Sequence, residues 1–167
     1  HLHFEDMVEL INNSLPRDAG IVRIHVAGDF FNQDYLHAWY IVALRNPRVL
    51  FYAYTKSLRF WVGDMTEMPD LWNFVLTASY GGRDDHMIDE FNLRSAKVVF
   101  SEAEAAELGL EIDHDDSHAA KPTLRDDSFA LLVHGTQPAG STAAAALKAL
   151  KGKGSYSRKK TKEELTM

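Results

Sequence analysis

The 167 residues are 46% hydrophobic and 11% aromatic, enough to bury a sizeable core in one globular domain or two at most, and no apolar run approaches the roughly 20 residues of a membrane span. The absence of cysteine excludes disulfides and thiolate-held metals within these residues and, with no secretory or lipidation motif in view, fits a cytoplasmic protein. The net charge of −6 is uneven: from Lys148 onward seven basic residues face only Glu163 and Glu164, leaving 11 of the 18 basic and 22 of the 24 acidic side chains before it, which is not the footprint of a dedicated duplex-DNA binder.

In chain order, Phe4, Met7, Val8, Ile11 and Leu15 recur at the spacing of one helical face, and Pro16 ends that helix. Then a pattern repeats five times: a short apolar run closes on small or polar residues and a helix-like stretch follows. The runs are 21–26, 49–53, 74–76, 97–100 and 129–133, with tips at Ala27-Gly28-Asp29, Tyr54-Thr55-Lys56, Thr77-Ala78-Ser79, Ser101-Glu102 and His134-Gly135-Thr136-Gln137. Asn32 is placed to cap a helix carrying Leu36, Trp39, Tyr40 and Ala43, which Asn46-Pro47 ends. Ser57 and then Asp84 or Asp85 are placed to cap two short helices. Ser101 with Glu104 forms a capping box for a helix over about 102–108 that Gly109 closes, and an alanine-rich helix runs over about 141–150.

Strands alternating with helices predict a mostly parallel five-stranded sheet of the α/β class, with all five polar tips on one edge, where such folds bind ligands. A complete (β/α) barrel needs eight strands, so the expectation is an incomplete barrel or an open curved sheet. Residues 1–150 read as one β/α domain with an irregular insertion at 111–128, and 151–167 as a basic flexible tail.

Three places carry candidate chemistry. At the strand tips, Asp29 follows a glycine at the end of an apolar run and suits a general base, a metal ligand or a hydroxyl acceptor; its plainer roles are a helix N-terminal charge or a partner for Lys56. Lys56 suits a small anionic ligand or a purely surface role. Ser79, Glu102 and His134 complete the candidate catalytic set, and the Tyr80-Gly81-Gly82-Arg83 loop offers amides to a phosphate. Residues 111–118 hold four carboxylates and two imidazoles, donors suited to a divalent cation such as manganese, iron or zinc, with His114, Asp116 and His118 as the chosen ligands. Gly135, Thr136, Gln137 and Ser141 precede the last helix in a turn of the kind that traps anions. Lys151, Lys153, Arg158, Lys159 and Lys160 are the candidate nucleic-acid contacts.

At these same residues the chain resembles the "gene product eighty-eight" family of actinobacterial phages and plasmids. The likeness runs through 23–31 (Arg23-Ile24-His25-Val26-Ala27-Gly28-Asp29-Phe30-Phe31), 51–57, 75–79, 113–118 and 134–140, and covers about residues 5 to 158. It implies a mobile-element origin and a place in the cytoplasm of a bacterial host. Some relatives are labelled as associated with rolling-circle replication. The resemblance also implies a cysteine-rich N-terminal segment like the cluster-binding start of radical enzymes that use S-adenosylmethionine. This sequence has none, and it opens on His1 rather than methionine, so the expectation is a C-terminal portion of a larger barrel or a member of a branch that lost the segment, with an iron–sulfur cluster only if cysteines lie upstream.

Two readings follow, with a third behind them. The first is a β/α enzyme or enzyme part, metal-dependent if residues 114–118 bind a cation, with a strand-end cleft. The second is a nucleic-acid-associated protein of phage or plasmid replication that contacts phosphate through its tail. The third is a host-interaction module, or a self-associating chain, that uses apolar surface left open by a missing barrel half.

Overall fold

The computed structural model describes residues 3–124, 126–151 and 153–155. They form an α/β protein whose six strands belong to an open sheet, with every described strand pairing parallel. The chain divides into two compact units, residues up to 95 together with 119–127, and residues 96–118 together with those from 128 onward.

In the first unit, α1 (Phe4–Ser14) precedes β1 (Ile21–Arg23), α2 (Gln33–Arg45), β2 (Leu50–Thr55), α3 (Leu58–Asp64), β3 (Phe74–Ser79) and α4 (His86–Glu90). The helical stripe buries Val8 and Ile11 and half-buries Phe4, Met7 and Leu15 against α2. Strand β2 pairs on both sides, Ile21 standing opposite Leu50 and Phe51 opposite Phe74. It is accordingly buried along nearly its whole length, as an interior parallel strand must be. Asn32 caps α2 as expected, accepting from the Tyr35 amide at 2.8 Å.

Three expectations are corrected here. The first apolar run pairs as a strand only over Ile21–Arg23; beyond the bond from the Ile24 amide to the Tyr52 carbonyl it leaves the sheet, and Val26 is 89% exposed. Ser57 does not cap α3 through its side chain, because its hydroxyl donates to the Phe30 carbonyl at 2.7 Å. Neither does Asp85 cap α4, since its carboxylate faces back to accept from the amides of Gly81 and Gly82 at 2.9 and 2.8 Å.

The second unit holds β4 (Ser95–Val99), α5 (Glu102–Glu107), β5 (Glu111–Ile112), the start of α6 (Ser117–Ala120), β6 (Phe129–Leu132) and α7 (Thr142–Ala149); Ser95 of β4, Ala119 and Ala120 of α6, and a 3-10 turn over Pro122–Leu124 belong to the first unit. Strand β6 lies between β4 and β5, with Phe129 opposite both Ala96 and Glu111. The sixth strand, β5, lies inside the stretch expected to be irregular, so the five-strand expectation falls one short. Ser101 accepts from the Glu104 amide at 3.1 Å while the Glu104 carboxylate reaches the Phe100 amide at 2.7 Å, a capping box shifted one residue outward. Gly109 takes a φ of +67° to end that helix, and Ser141 caps α7 through the Ala144 amide. The strand order ends at β1 and β5, so the sheet is open and no complete barrel forms among the described residues, as expected.

A buried side chain fixes how α2 returns into the sheet. Asn73, 2% exposed, donates from Nδ2 to the carbonyls of Ala43, Asn46 and Val49 at 2.9, 3.1 and 3.0 Å, closing the C-terminal end of α2 onto the start of β2. Ala43 and Asn46 keep a backbone donor to their carbonyls, whereas removing Asn73 takes away three bonds at once and leaves the buried end of α2 short of donors, at about 1–3 kcal/mol. Asn73→Ala is expected to destabilise the chain by about 2 kcal/mol in urea unfolding with an unchanged slope. Asn73→Asp, which sets an acceptor against acceptors, is expected to cost more; equal midpoints for the two variants would contradict this account.

Candidate functional site

The polar edge of the first unit is organised by Asp29. The turn before it needs a positive φ, which Gly28 supplies at +87°. The Asp29 carboxylate then accepts three hydrogen bonds: on Oδ1 from the Phe30 amide at 2.7 Å and the Thr55 hydroxyl at 2.6 Å, and on Oδ2 from the Lys56 amide at 2.6 Å. Thr55 is itself buried and accepts from the Ser57 amide at 3.0 Å. The exit of β1 is thus tied to the exit of β2 by charge-assisted bonds. Asp29 stands here as a backbone-holding hydroxyl acceptor.

Lys56 is exposed, and its side chain runs over the glycine loop that follows β3. A Cβ at Gly81, where φ is +95°, would lie 3.2 Å from the Lys56 ammonium, and one at Gly82 would lie 3.1 Å from the Lys56 Cβ. The two glycines therefore give the lysine its room. The amides of Gly81 and Gly82 already donate to Asp85, so the loop does not offer them to a phosphate as expected from sequence. No carboxylate is paired with the Lys56 ammonium among the described residues. Ser79, half-buried, ends β3 beside this loop. Asp29, Lys56 and Ser79 thus share the strand-end edge of one unit.

His25, on the segment leaving β1, packs edge-on to Phe30 at 4.8 Å between centroids, with Nε2 3.4 Å from the Tyr35 hydroxyl and Nδ1 without a hydrogen-bond partner. Burial lowers its pKa below the ordinary imidazole value, and the Asp29 charge opposes that shift in part.

The remaining candidates lie in the second unit. Asp113, 1% exposed, accepts on Oδ1 from the amides of Asp115 and Ser117 at 3.1 and 3.2 Å and on Oδ2 from the His118 amide at 3.0 Å, capping α6. Ser117 also donates its hydroxyl to Asp115. The buried His118 ring lies against Phe129, with Nε2 3.3 Å from Glu111 and Nδ1 3.6 Å from Asp113. His114 is exposed, and Asp116 is buried with a φ of +67°. His114, Asp116 and His118 are not gathered as a ligand triad: among the described residues the group whose donor atoms all lie within 4.8 Å of one another is His37, Asp64 and Glu67. Sequence reasoning missed that group.

His134 is half-buried, Nδ1 lying 3.0 Å from the Leu132 carbonyl, and Gln137 donates to the His134 carbonyl at 2.6 Å. Both line a shallow groove with Phe100 and Ala143. Gly135 takes a φ of +70°, Thr136 is exposed, and Ser141 is occupied as the α7 cap. Glu102 lines a different groove with the exposed Lys151 and Lys153. Arg158, Lys159 and Lys160 lie outside the described residues.

A second feature unforeseen from sequence is a cleft of about 340 Å³ in the first unit, lined by Tyr40, Trp61, Trp72, Phe74, Arg94 and Asp126 among others. Arg94 is engaged there, donating to the Leu76 carbonyl at 3.3 Å and to the Thr77 hydroxyl. Tyr40 donates to the Pro69 carbonyl at 2.8 Å, and burial followed by the Asp70 charge raises its pKa.

These features define a parallel α/β protein with a braced, polar strand-end edge. The comparisons narrow the class: the chain belongs to the family described as Gene product 88, whose model matches residues 2–152. No curated protein and no solved structure matches it. The iron–sulfur cluster implied by resemblance finds no fit here, since the chain holds no cysteine to ligate one.

The His25 environment has a pH consequence. The unfolded chain binds a proton at His25 at higher pH than the folded chain does, so stability is full above the ordinary imidazole value of about 6.5 and falls as pH drops below it. In urea midpoints measured from pH 7.5 to 5, His25→Gln is expected to show a shallower acid decline than the parent. Parallel curves would remove His25 from the account.

Proposed function

We propose that the strand-end edge of the first unit is the ligand site of a β/α enzyme, and that the ligand is a small anion, a carboxylate or a phosphate. The observation that carries this reading is the Lys56 ammonium: exposed, unpaired among the described residues, and set against Gly81 by a backbone that Asp29 holds. An ammonium offers three donors and a compact charge, and its position at the C-terminal ends of parallel strands is where open α/β sheets take ligands. In this reading Asp29 is a positioning residue that braces the Lys56 backbone, and Ser79 supplies a neighbouring hydroxyl.

The metal-dependent and radical-enzyme forms of this reading, the replication-associated alternative and the host-interaction alternative draw on sequence and resemblance. The anion reading has the geometry of the first unit behind it as well.

Thermal unfolding with inorganic phosphate, citrate and a nucleoside triphosphate tests it. A ligand at a hundredfold excess over its Kd stabilises by about 2.7 kcal/mol, a rise of several degrees for a chain of this size. At least one of the three anions is expected to give that rise, and Lys56→Gln is expected to abolish it while leaving the unliganded midpoint within about 0.5 kcal/mol, as for an exposed side chain. A rise that survives in Lys56→Gln, or none with any of the three, would reject the site.

A further inference from the structure

Of the buried carboxylates in the first unit, Asp64 has a side-chain environment the fold leaves incomplete. It is the last residue of α3, its side chain is 7% exposed, and its Oδ2 atom is shut from solvent with no hydrogen-bond partner. The place is unfavourable for a carboxylate twice over. Burial without partners destabilises a charge, and the C-terminal end of a helix carries the negative pole of the peptide dipoles. By contrast, Asp29 has each carboxylate oxygen hydrogen-bonded.

Asp64 Oδ2 lies 3.8 Å from Nδ1 of His37 on α2, and one imidazole nitrogen of His37 and one carboxylate oxygen each of Asp64 and Glu67 all lie within 4.8 Å of one another. The backbone fixes the approach of both acids, the Glu67 and Met68 amides donating to the Asp64 carbonyl at 2.9 and 2.8 Å. The His37 ring is set edge-on between Phe4 and Tyr40, at centroid distances of 5.6 and 6.2 Å, which limits its rotation. His37 keeps 31% of its side chain exposed and Glu67 is exposed, so an ion has an entry path and water can complete its coordination.

We propose that His37, Asp64 and Glu67 form a binding site for a divalent transition-metal ion of the zinc–manganese class. One imidazole nitrogen and two carboxylate oxygens suit such ions better than magnesium or calcium, which take oxygen alone. Tetrahedral coordination at bond lengths near 2.1 Å sets ligand atoms about 3.4 Å apart, so the His37–Asp64 pair needs to close by only a few tenths of an ångström. The site lies on α2, at the end of α3 and in the turn that follows it, rather than at the strand tips. It is also distinct from the residues 114–118 singled out in the sequence, and it stands or falls independently of the anion reading.

The test uses the full chain, stripped with a chelator and dialysed against zinc or cobalt(II). The expected results are one zinc per chain by elemental analysis, a rise in the unfolding midpoint, and visible d–d absorption for the cobalt form. Glu67→Gln, at an exposed position where folding is not at stake, is expected to weaken zinc binding at least tenfold. Asp64→Asn is expected to abolish it while leaving the metal-free chain as stable as the parent or more so, because an unpartnered buried charge is removed. Absence of zinc uptake by the parent chain would overturn the proposal, as would equal uptake by parent, Glu67→Gln and Asp64→Asn, which would place the ion at other residues.

Discussion

The interaction on which the strand-end edge of the first unit depends is the carboxylate of Asp29. Strand β1 is only three residues long, and the chain beyond it has one sheet hydrogen bond before it departs. What holds residues 28–32 in place is Asp29 accepting from the Phe30 and Lys56 amides and the Thr55 hydroxyl, with Ser57 returning a bond to the Phe30 carbonyl. That closed set positions Asn32 to start α2 and fixes the backbone from which Lys56 projects. Three of the Asp29 acceptor positions are taken by these bonds, two on Oδ1 and one on Oδ2. In the proposed reading Asp29 serves by rigidity, since a braced support for the residue that would meet the ligand is what precise binding requires.

The same economy explains the acidic stretch of the second unit. Four carboxylates and two imidazoles in eight residues invite a metal reading, yet Asp113 is consumed in capping α6, Asp115 accepts from Ser117, and His118 faces Glu111 of the new edge strand. Donor density in sequence is therefore a poor guide to donor convergence in space. Short polar side chains followed by a helical turn tend to satisfy the turn's own amides first.

Much of the fold was legible because its signals are local. Asn32, Ser101 and Ser141 cap the helices they precede, and the Phe4-to-Leu15 stripe buries the residues its period selects. The parallel character followed from alternation alone. Apart from Asp85, which is claimed by the glycine loop just before it, the failures share a cause, which is a distant partner. Ser57 looks like a cap, but its hydroxyl is drawn to Phe30, 27 residues earlier. Residues 24–26 look like strand, but a strand exists only where a neighbour pairs with it. Strand β5 has two residues and no periodicity to read, and only β6 makes it a strand. Asp29 and Lys56 are visible in the sequence as polar residues at the ends of apolar runs, whereas the bonds that Asp29 makes turn on Thr55, 26 residues further on.

The His37–Asp64–Glu67 group shows the same limit most plainly, since 27 residues separate the histidine from the first acid and no spacing motif links them. It also poses a question that the rest of the molecule answers by contrast. A proton on His37 would supply a positive charge, but at 3.8 Å the imidazolium N–H falls beyond hydrogen-bond reach of Oδ2 and would leave that oxygen without a donor. It would do nothing, moreover, for Glu67 converging on the same point. A single ion between the three serves all of them at once and reverses the unfavourable sign at the end of α3. The separation that is too long for a hydrogen bond is close to the spacing of two ligands on one metal, and that coincidence, at a carboxylate oxygen with no other partner, distinguishes this cluster from the acid-rich turns elsewhere in the chain.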